Sequence, residues 1–180
     1  MERPGHVVGG STREAHMIAL KRILVATDFG EAAAAALTYG RELTRIFGGQ
    51  MQVLHVVDDL AARYPMDMYP GGFAELQLDI ETEAGKRLRG LLDDEDVKQL
   101  GAVPVIRSSN VPAATIARYA KEARIDLIVM GTHGRGVLSH ALLGSVAERV
   151  VRSAPCPVLT VRHPEHEFLA PDAMVPVAKS

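Results

Sequence analysis

The chain reads as an α/β domain, a parallel sheet with helices on both faces. Three observations predict this. Short apolar runs alternate with segments of helical periodicity five times along the chain, the pattern of a sheet built from strand–helix–strand crossovers. The run Ile125-Asp126-Leu127-Ile128-Val129-Met130 is apolar enough to be a buried parallel strand. A glycine-bearing crossing then leads from that run to Val146–Ser153, where Val146, Ala147, Val150 and Val151 recur at helical spacing.

The elements follow in order. The first strand covers Arg22–Thr27, and a helix runs from about Glu31 to Phe47. Its stripe is Ala33, Leu37, Gly40 and Thr44, flanked by Ala36, Leu43 and Phe47, and Gly48-Gly49 stops it. The second strand is Gln52–Val57. A loop, Asp58–Gly72, rich in Pro, Gly, Met and Tyr, leads to a long helix over Phe73–Gln99, with Phe73, Leu76, Ile80, Ala84, Leu88 and Leu91 inward. The third strand is Ala102–Arg107. Val111-Pro112 opens the next helix with proline in its tolerated first turn, and Ile116, Ala120 and Ala123 form its face. The fourth strand is Ile125–Met130 and the fifth Val158–Arg162, closed by His163-Pro164. These elements define one domain over residues 20–163; residues 1–19 and 164–180 read as poorly ordered extensions.

Length and composition narrow the class. A chain of 180 residues suits one domain with a substantial core, and 47% hydrophobic residues without tryptophan point to Ala, Val, Leu and Ile inside it. A net charge of −2 gives no reason to expect nucleic-acid or anionic-membrane binding. The single cysteine, Cys156, rules out an intrachain disulfide and suits a reducing compartment; in Ala-Pro-Cys-Pro it reads as a small core residue rather than a nucleophile. The first seventeen residues hold no unbroken apolar segment of the kind a secretory leader needs, and include Glu2 and Glu14; no later run reaches the ~20 residues of a membrane span. A soluble, cytoplasmic protein is expected.

The most informative stretch is Gly131-Thr132-His133-Gly134, then nine residues, then Gly144-Ser145. Glycine at a strand-to-helix crossing lets main-chain N–H groups approach an anion without a Cβ in the way. A Walker A loop is excluded because Gly136 is followed by Val137 and Leu138. A Rossmann fingerprint is excluded because the order is G-x-x-G-x-G at a late strand. The glycines could merely punctuate a long loop, but as an ordered set between a buried strand and a helix they point to a nucleotide phosphate site.

The segment GTHGRGVLSHALLGSVAERVVRSAPCPVLTVR resembles the C-terminal half of universal stress protein domains, whose motif is G-x2-G-x9-G-[ST]. KRILVATDFGEAAAAAL resembles that family's first strand and its T-D turn, and VLHVVD its second strand. Together these span about Lys21–Arg162. The resemblance implies strand order 3-2-1-4-5, with the ligand crevice between strands one and four, as in doubly wound sheets generally. Ala26-Thr27-Asp28 and Met130-Gly131 then converge from opposite halves of the chain.

Individual residues admit two readings. With Glu31 three residues on, Asp28 fits a capping box; the resemblance gives it a nucleoside role instead, and a carboxylate suits ribose or base better than phosphate. Ser145-Val146-Ala147-Glu148 is likewise an S-x-x-E capping box, yet the start of that helix also offers orphan N–H donors to a phosphate. On that reading Gly144, Ser145 and Val146 donate main-chain N–H groups, and the resemblance assigns the Gly-[ST] pair to the phosphates. Arg135, the one positive charge between Gly134 and Gly144, either balances a polyphosphate or is a solvated loop residue. His133 and Gly134 complete the loop's share of the site. His133 and His140 lack a third ligand at zinc-like spacing, so Mg²⁺ is expected to arrive with the nucleotide. Val56 matches the family position that meets the adenine edge, His55 should turn to the other face, and Asn110 and Ala26 depart from the family's usual Gly and Pro.

The resemblance therefore implies an adenine-nucleotide (ATP, ADP or AMP) binding protein of stress response, a regulator or partner-binding protein with at most slow ATP hydrolysis. The machinery of rapid phosphoryl transfer is not evident. A non-nucleotide dimeric interaction or chaperone-like protein of the same fold is the alternative, which loss of the glycine motif would mark; the motif is intact. A signalling receiver fails, because strand three ends Val105-Ile106-Arg107-Ser108 and strand five ends Val161-Arg162. The free apolar edge at Val158–Arg162 predicts a homodimer, since an uncovered edge invites association.

Overall fold

Nine of the ten residues from Ile23 to Ala26 and from Leu127 to Gly131, together with Val161, sit almost wholly out of solvent, and this fixes the centre of the molecule. The computed structural model describes residues 18–64, 73–132 and 143–163. Its elements are β1 (Arg22–Ala26), α1 (Glu31–Phe47), β2 (Gln50–Val57), α2 (Leu60–Arg63), α3 (Phe73–Arg89) and α4 (Asp94–Gln99), then β3 (Val103–Ser108), α5 (Pro112–Glu122), β4 (Leu127–Gly131), α6 (Ser145–Ser153) and β5 (Val158–Val161). The strands form one five-stranded parallel sheet of order β3-β2-β1-β4-β5, the expected fold class and order.

Alternation along each strand feeds two cores. Ile23 and Val25 of β1, Met51 and Val53 of β2, and Leu127 and Val129 of β4 point to one face, where Ala36, Leu37 and Tyr39 of α1 and Leu88 of α3 cover them. Leu24, Ala26, Leu54, Ile128 and Met130 point to the other, under Ala113, Ile116 and Ala120 of α5 and Ala147 and Val150 of α6. Each large aliphatic side chain buried this way contributes about 1.5–3 kcal/mol. Close approach of α1 to the sheet depends on Gly40, because a Cβ there would stand 2.4 Å from Val25 Cγ2. Gly48 ends α1 in the left-handed region at φ 60°, as expected of the Gly-Gly stop.

Strand limits differ from expectation by two residues or fewer, an ordinary fraying of ends. The long helix expected over Phe73–Gln99 is two helices. Asp93 starts α4 with a reciprocal capping box, its carboxylate accepting from the Asp96 N–H (2.8 Å) while Asp96 accepts from the Asp93 N–H (3.1 Å). Asp96 is held in turn by a bidentate ion pair with Arg41 of α1, at 2.7–2.8 Å for the shortest contacts, and Arg41 also donates to the Leu91 carbonyl at 2.6 Å. A tertiary anchor thus ends the helical run that periodicity alone would have continued. The inward face of α3 also differs: Leu76 is 50% exposed, while Gly85 and Leu88 are buried. Gln77 and Glu81 turn toward β3 instead, where Ser108 Oγ donates to Glu81 at 2.5 Å. Phe47, expected to flank the inner stripe of α1, is 39% exposed, whereas Tyr39 is buried.

Of the two expected extensions, only Ile18 and Ala19 lie within the described residues.

Candidate functional site

The sheet reverses direction at β1: the chain proceeds outward through β2 and β3, then returns to place β4 on the other side of β1. Helices leaving neighbouring strands there diverge to opposite faces, opening a crevice at the carboxyl ends. A cleft of about 300 Å³ occupies that place, at the lower end of the volumes typical of small-molecule sites. Ala26, Thr27 and Asp28 from the end of β1, Val56 from β2, Met130 and Gly131 from β4, and Gly144, Ser145 and Val146 from the start of α6 all line it. The remaining expected site residues, His133, Gly134 and Arg135, lie outside the described residues.

Several lining residues were not among those expected. Pro112 and Ile116 come from the first turns of α5, Ala33 from α1, Ala147 from α6, Leu54 and His55 from β2, and Thr132 from just past β4. The helical spacing of Pro112 and Ile116 was visible in the sequence, but not that this face turns to the crevice. Leu54, Ile116 and Met130 make one wall apolar, suited to a flat hydrophobic ring.

The turn from β1 into α1 is built on its own side chains. Thr27 Oγ1 accepts from the Phe29 N–H at 3.0 Å, and Asp28 Oδ1 accepts from the Gly30 N–H at 2.9 Å. Gly30 is the N-cap and no side chain caps α1, so the expected Asp28–Glu31 capping box is not formed. Asp28 precedes the cap by two residues and folds back on the turn instead. His55 is half-buried against Phe29, on the face opposite Val56 as expected, and its Nδ1 lies 2.7 Å from the Thr27 carbonyl oxygen. A carbonyl only accepts, so Nδ1 carries the proton.

The turn into α6 differs. Its N-cap is Gly144, with no side-chain cap, so Ser145 is the first helical residue and the expected Ser145–Glu148 capping box is absent. Glu148 pairs with Arg152 on the exposed side. The Gly144 N–H, expected to donate to an anion, is taken by the Thr132 carbonyl at 2.5 Å. The first bond inside the helix is Glu148 N–H to Gly144 C=O, at 2.9 Å. The N–H groups of Ser145, Val146 and Ala147 therefore have no acceptor among the described residues, and they stand at the positive end of the helix dipole.

Gly131 has a packing task. A Cβ there would lie 2.8 Å from both the carbonyl carbon and the Cβ of Ala32. Its bare backbone lets the start of α1 close against the end of β4, bringing the two turns together. On the outer side, Asn110 ties the loop after β3 to the loop after β2: Oδ1 accepts from the Asp59 N–H at 3.1 Å and Nδ2 donates to the Asp59 carbonyl at 2.9 Å. Asn110 thus braces the region beside Val56 and Pro112 without lining the cleft.

Cys156 is half-buried and packs on the α5–α6 core, and burial pushes its thiol above the usual range, the opposite of an activated nucleophile. Among the described residues no group of three or more His, Cys, Asp or Glu is arranged to hold a metal. No helix there is long and apolar enough to cross a membrane.

Comparison with known proteins extends this geometry. A model of the universal stress protein family matches residues 19–162. The chain is 32% identical over 152 residues to a universal stress protein of Methanocaldococcus jannaschii, covering 82% of this chain and 85% of the relative. A second protein of that organism, solved as a structure, superposes with a TM-score of 0.67 at 27% identity, covering 83% of this chain and 100% of its own. A universal stress protein of Archaeoglobus fulgidus solved in complex with dAMP shares the fold, with a TM-score of 0.51 at 21% identity over 81% of this chain and 99% of its own.

Proposed function

From the premise that the chain belongs to the universal stress protein family, we propose that it binds an adenine nucleotide in the cleft between β1 and β4. The observation that carries this reading is the union, in one cleft, of the Asp28 carboxylate, an apolar wall and the three N–H donors at the start of α6 that have no acceptor among the described residues. The apolar wall of Leu54, Val56, Ile116 and Met130 suits the base, Asp28 accepts hydrogen bonds from the nucleoside, and the α6 donors take the phosphates. Gly134 and Arg135 continue the phosphate side in the motif, with Mg²⁺ held mainly by the nucleotide. The dAMP complex of the A. fulgidus relative is consistent with this ligand class.

Binding serves regulation or partner recognition in the cytoplasm rather than fast turnover, with hydrolysis at most slow. The partner surface includes a second copy: β5 is the edge strand, paired with β4 on one side, and its Val158, Leu159 and Thr160 are partly exposed. Sedimentation at micromolar concentration tests this, with a dimer expected and weakened by Leu159→Lys. Calorimetric titration with ATP, ADP, AMP and cyclic AMP, each with and without Mg²⁺, tests the nucleotide reading. Saturable binding by at least one is expected, and flat titrations with all four contradict it.

A further inference from the structure

Among the described residues, two other than glycine have positive φ, Arg124 at 52° and Phe29 at 65°. Arg124 follows the end of α5, where the Ile125 N–H reaches back to the Ala120 carbonyl at 2.9 Å, an ordinary left-handed helix termination. Phe29 ends no helix. It stands between a strand and a helix, directly after an acid that lines the cleft, and a bulky residue in the left-handed region is an outlier that its surroundings must offset.

The surroundings are specific. The Arg87 guanidinium, from the last turn of α3, lies over the Phe29 ring at 4.3 Å from its centroid, within range of a cation–π attraction. The His55 ring, from β2, stands 4.4 Å away at a 50° tilt. His55 also donates from Nδ1 to the Thr27 carbonyl, and the Phe29 N–H donates to Thr27 Oγ1. Asp28 is therefore bracketed: His55 grips the residue before it and the ring of the residue after it. Because the chain turns left-handed at Phe29, the Gly30 N–H comes round to Asp28 Oδ1 and fixes one carboxylate oxygen. Neither Phe29 nor Arg87 lines the cleft.

We propose that Phe29, braced by Arg87 and His55, is a positioning residue that sets the Asp28 carboxylate for the nucleoside. The inference rests on the nucleotide reading of the cleft. It gives Phe29 a role exerted through Asp28 alone, which a general packing role would not have.

A double-mutant cycle on the full chain separates these, with ATP and AMP titrated by calorimetry and thermal melts run alongside. Phe29→Gly relieves the backbone strain yet removes the ring, so improved backbone comfort and lost positioning predict opposite changes in affinity. The expected result is a roughly five- to tenfold weaker Kd, equal for ATP and AMP. Phe29→Tyr keeps the ring and should bind within about twofold of the natural chain. In an Asp28→Ala background, Phe29→Gly should change the Kd by less than about twofold. Arg87→Gln removes the brace from outside the turn and should repeat the pattern, which keeps the test decisive where Phe29→Gly fails to fold. Wild-type affinity in Phe29→Gly, or an equal loss with and without Asp28, overturns the proposal alone. A natural chain that binds no adenine nucleotide overturns it together with the reading of the cleft.

Discussion

The two turns that flank the cleft look alike in sequence and are built oppositely. Each is a small polar residue followed three positions later by glutamate, Asp28 with Glu31 and Ser145 with Glu148, and each predicts a capping box. At the first turn the side chains of Thr27 and Asp28 accept the turn's own N–H groups, leaving an acid on the cleft wall. At the second no side chain caps the helix, and three main-chain donors have no acceptor among the described residues. One side of the crevice accepts hydrogen bonds and the other donates them. A nucleotide has that polarity, with hydroxyl and amine donors at the nucleoside end and anionic oxygens at the other.

The comparison requires that losses at the turns be local, and the largest expected effect lies away from both. Arg41→Ala strands the Asp96 carboxylate, which is 2% exposed, and should cost about 3 kcal/mol of stability while leaving nucleotide affinity intact. Burial opposes ionisation of Asp96, but hydrogen bonds from Arg41 and the Asp93 N–H, with the Arg41 charge, hold its carboxyl below the ordinary carboxylate range. A lowered folded value means this stabilisation is present above the unfolded pKa, about 3.9, and is lost as pH falls through the folded one. The stability gap between the natural chain and Asp96→Asn, measured by urea melts, should therefore narrow below about pH 4.

Next in size is Gly131→Val, which forces α1 away from β4 and so separates the two turns. Overpacking of this kind costs about 2–3 kcal/mol, and both thermal stability and ATP affinity should fall. A variant as stable as the natural chain would mean that Gly131 is not what lets the turns meet.

Much of this frame was legible beforehand. Buried runs such as Ile23–Val25 and Leu127–Met130 have few other structural uses, and the ends of those strands carry Asp28 and Gly131. What sequence reading missed depends on partners distant in the chain. Nothing local announces that Arg41 will anchor Asp96 and end a helical run near Gly90. A left-handed phenylalanine has no signature, since it is tolerated only because α3 and β2 supply Arg87 and His55. The capping boxes failed because the caps fell on Gly30 and Gly144, which shifted Asp28 and Ser145 out of the capping position.

Asp28→Ala should weaken ATP and AMP alike, by about 1.5 kcal/mol for a lost bond to a charged acceptor. Calorimetry with both ligands checks it, and a loss confined to ATP would move Asp28 to the phosphate side. The smallest effect belongs to Ser145→Ala. Because Ser145 is not the cap, the melting temperature should be unchanged, and ATP affinity should drop by no more than about 1 kcal/mol, the worth of one hydroxyl contact.

The opposed polarity of the two turns is tested most directly by Ser145→Pro titrated with ATP and with adenosine, beside Asp28→Asn. Proline suits the first helical position, and Gly144 already has the extended backbone, φ −71° and ψ 154°, that precedes proline comfortably. The substitution removes one main-chain donor and leaves the helix in place. Ser145→Pro should weaken ATP and leave adenosine unchanged, while Asp28→Asn weakens both. If Ser145→Pro binds ATP like the natural chain, or loses adenosine equally, α6 is not the phosphate side of the cleft.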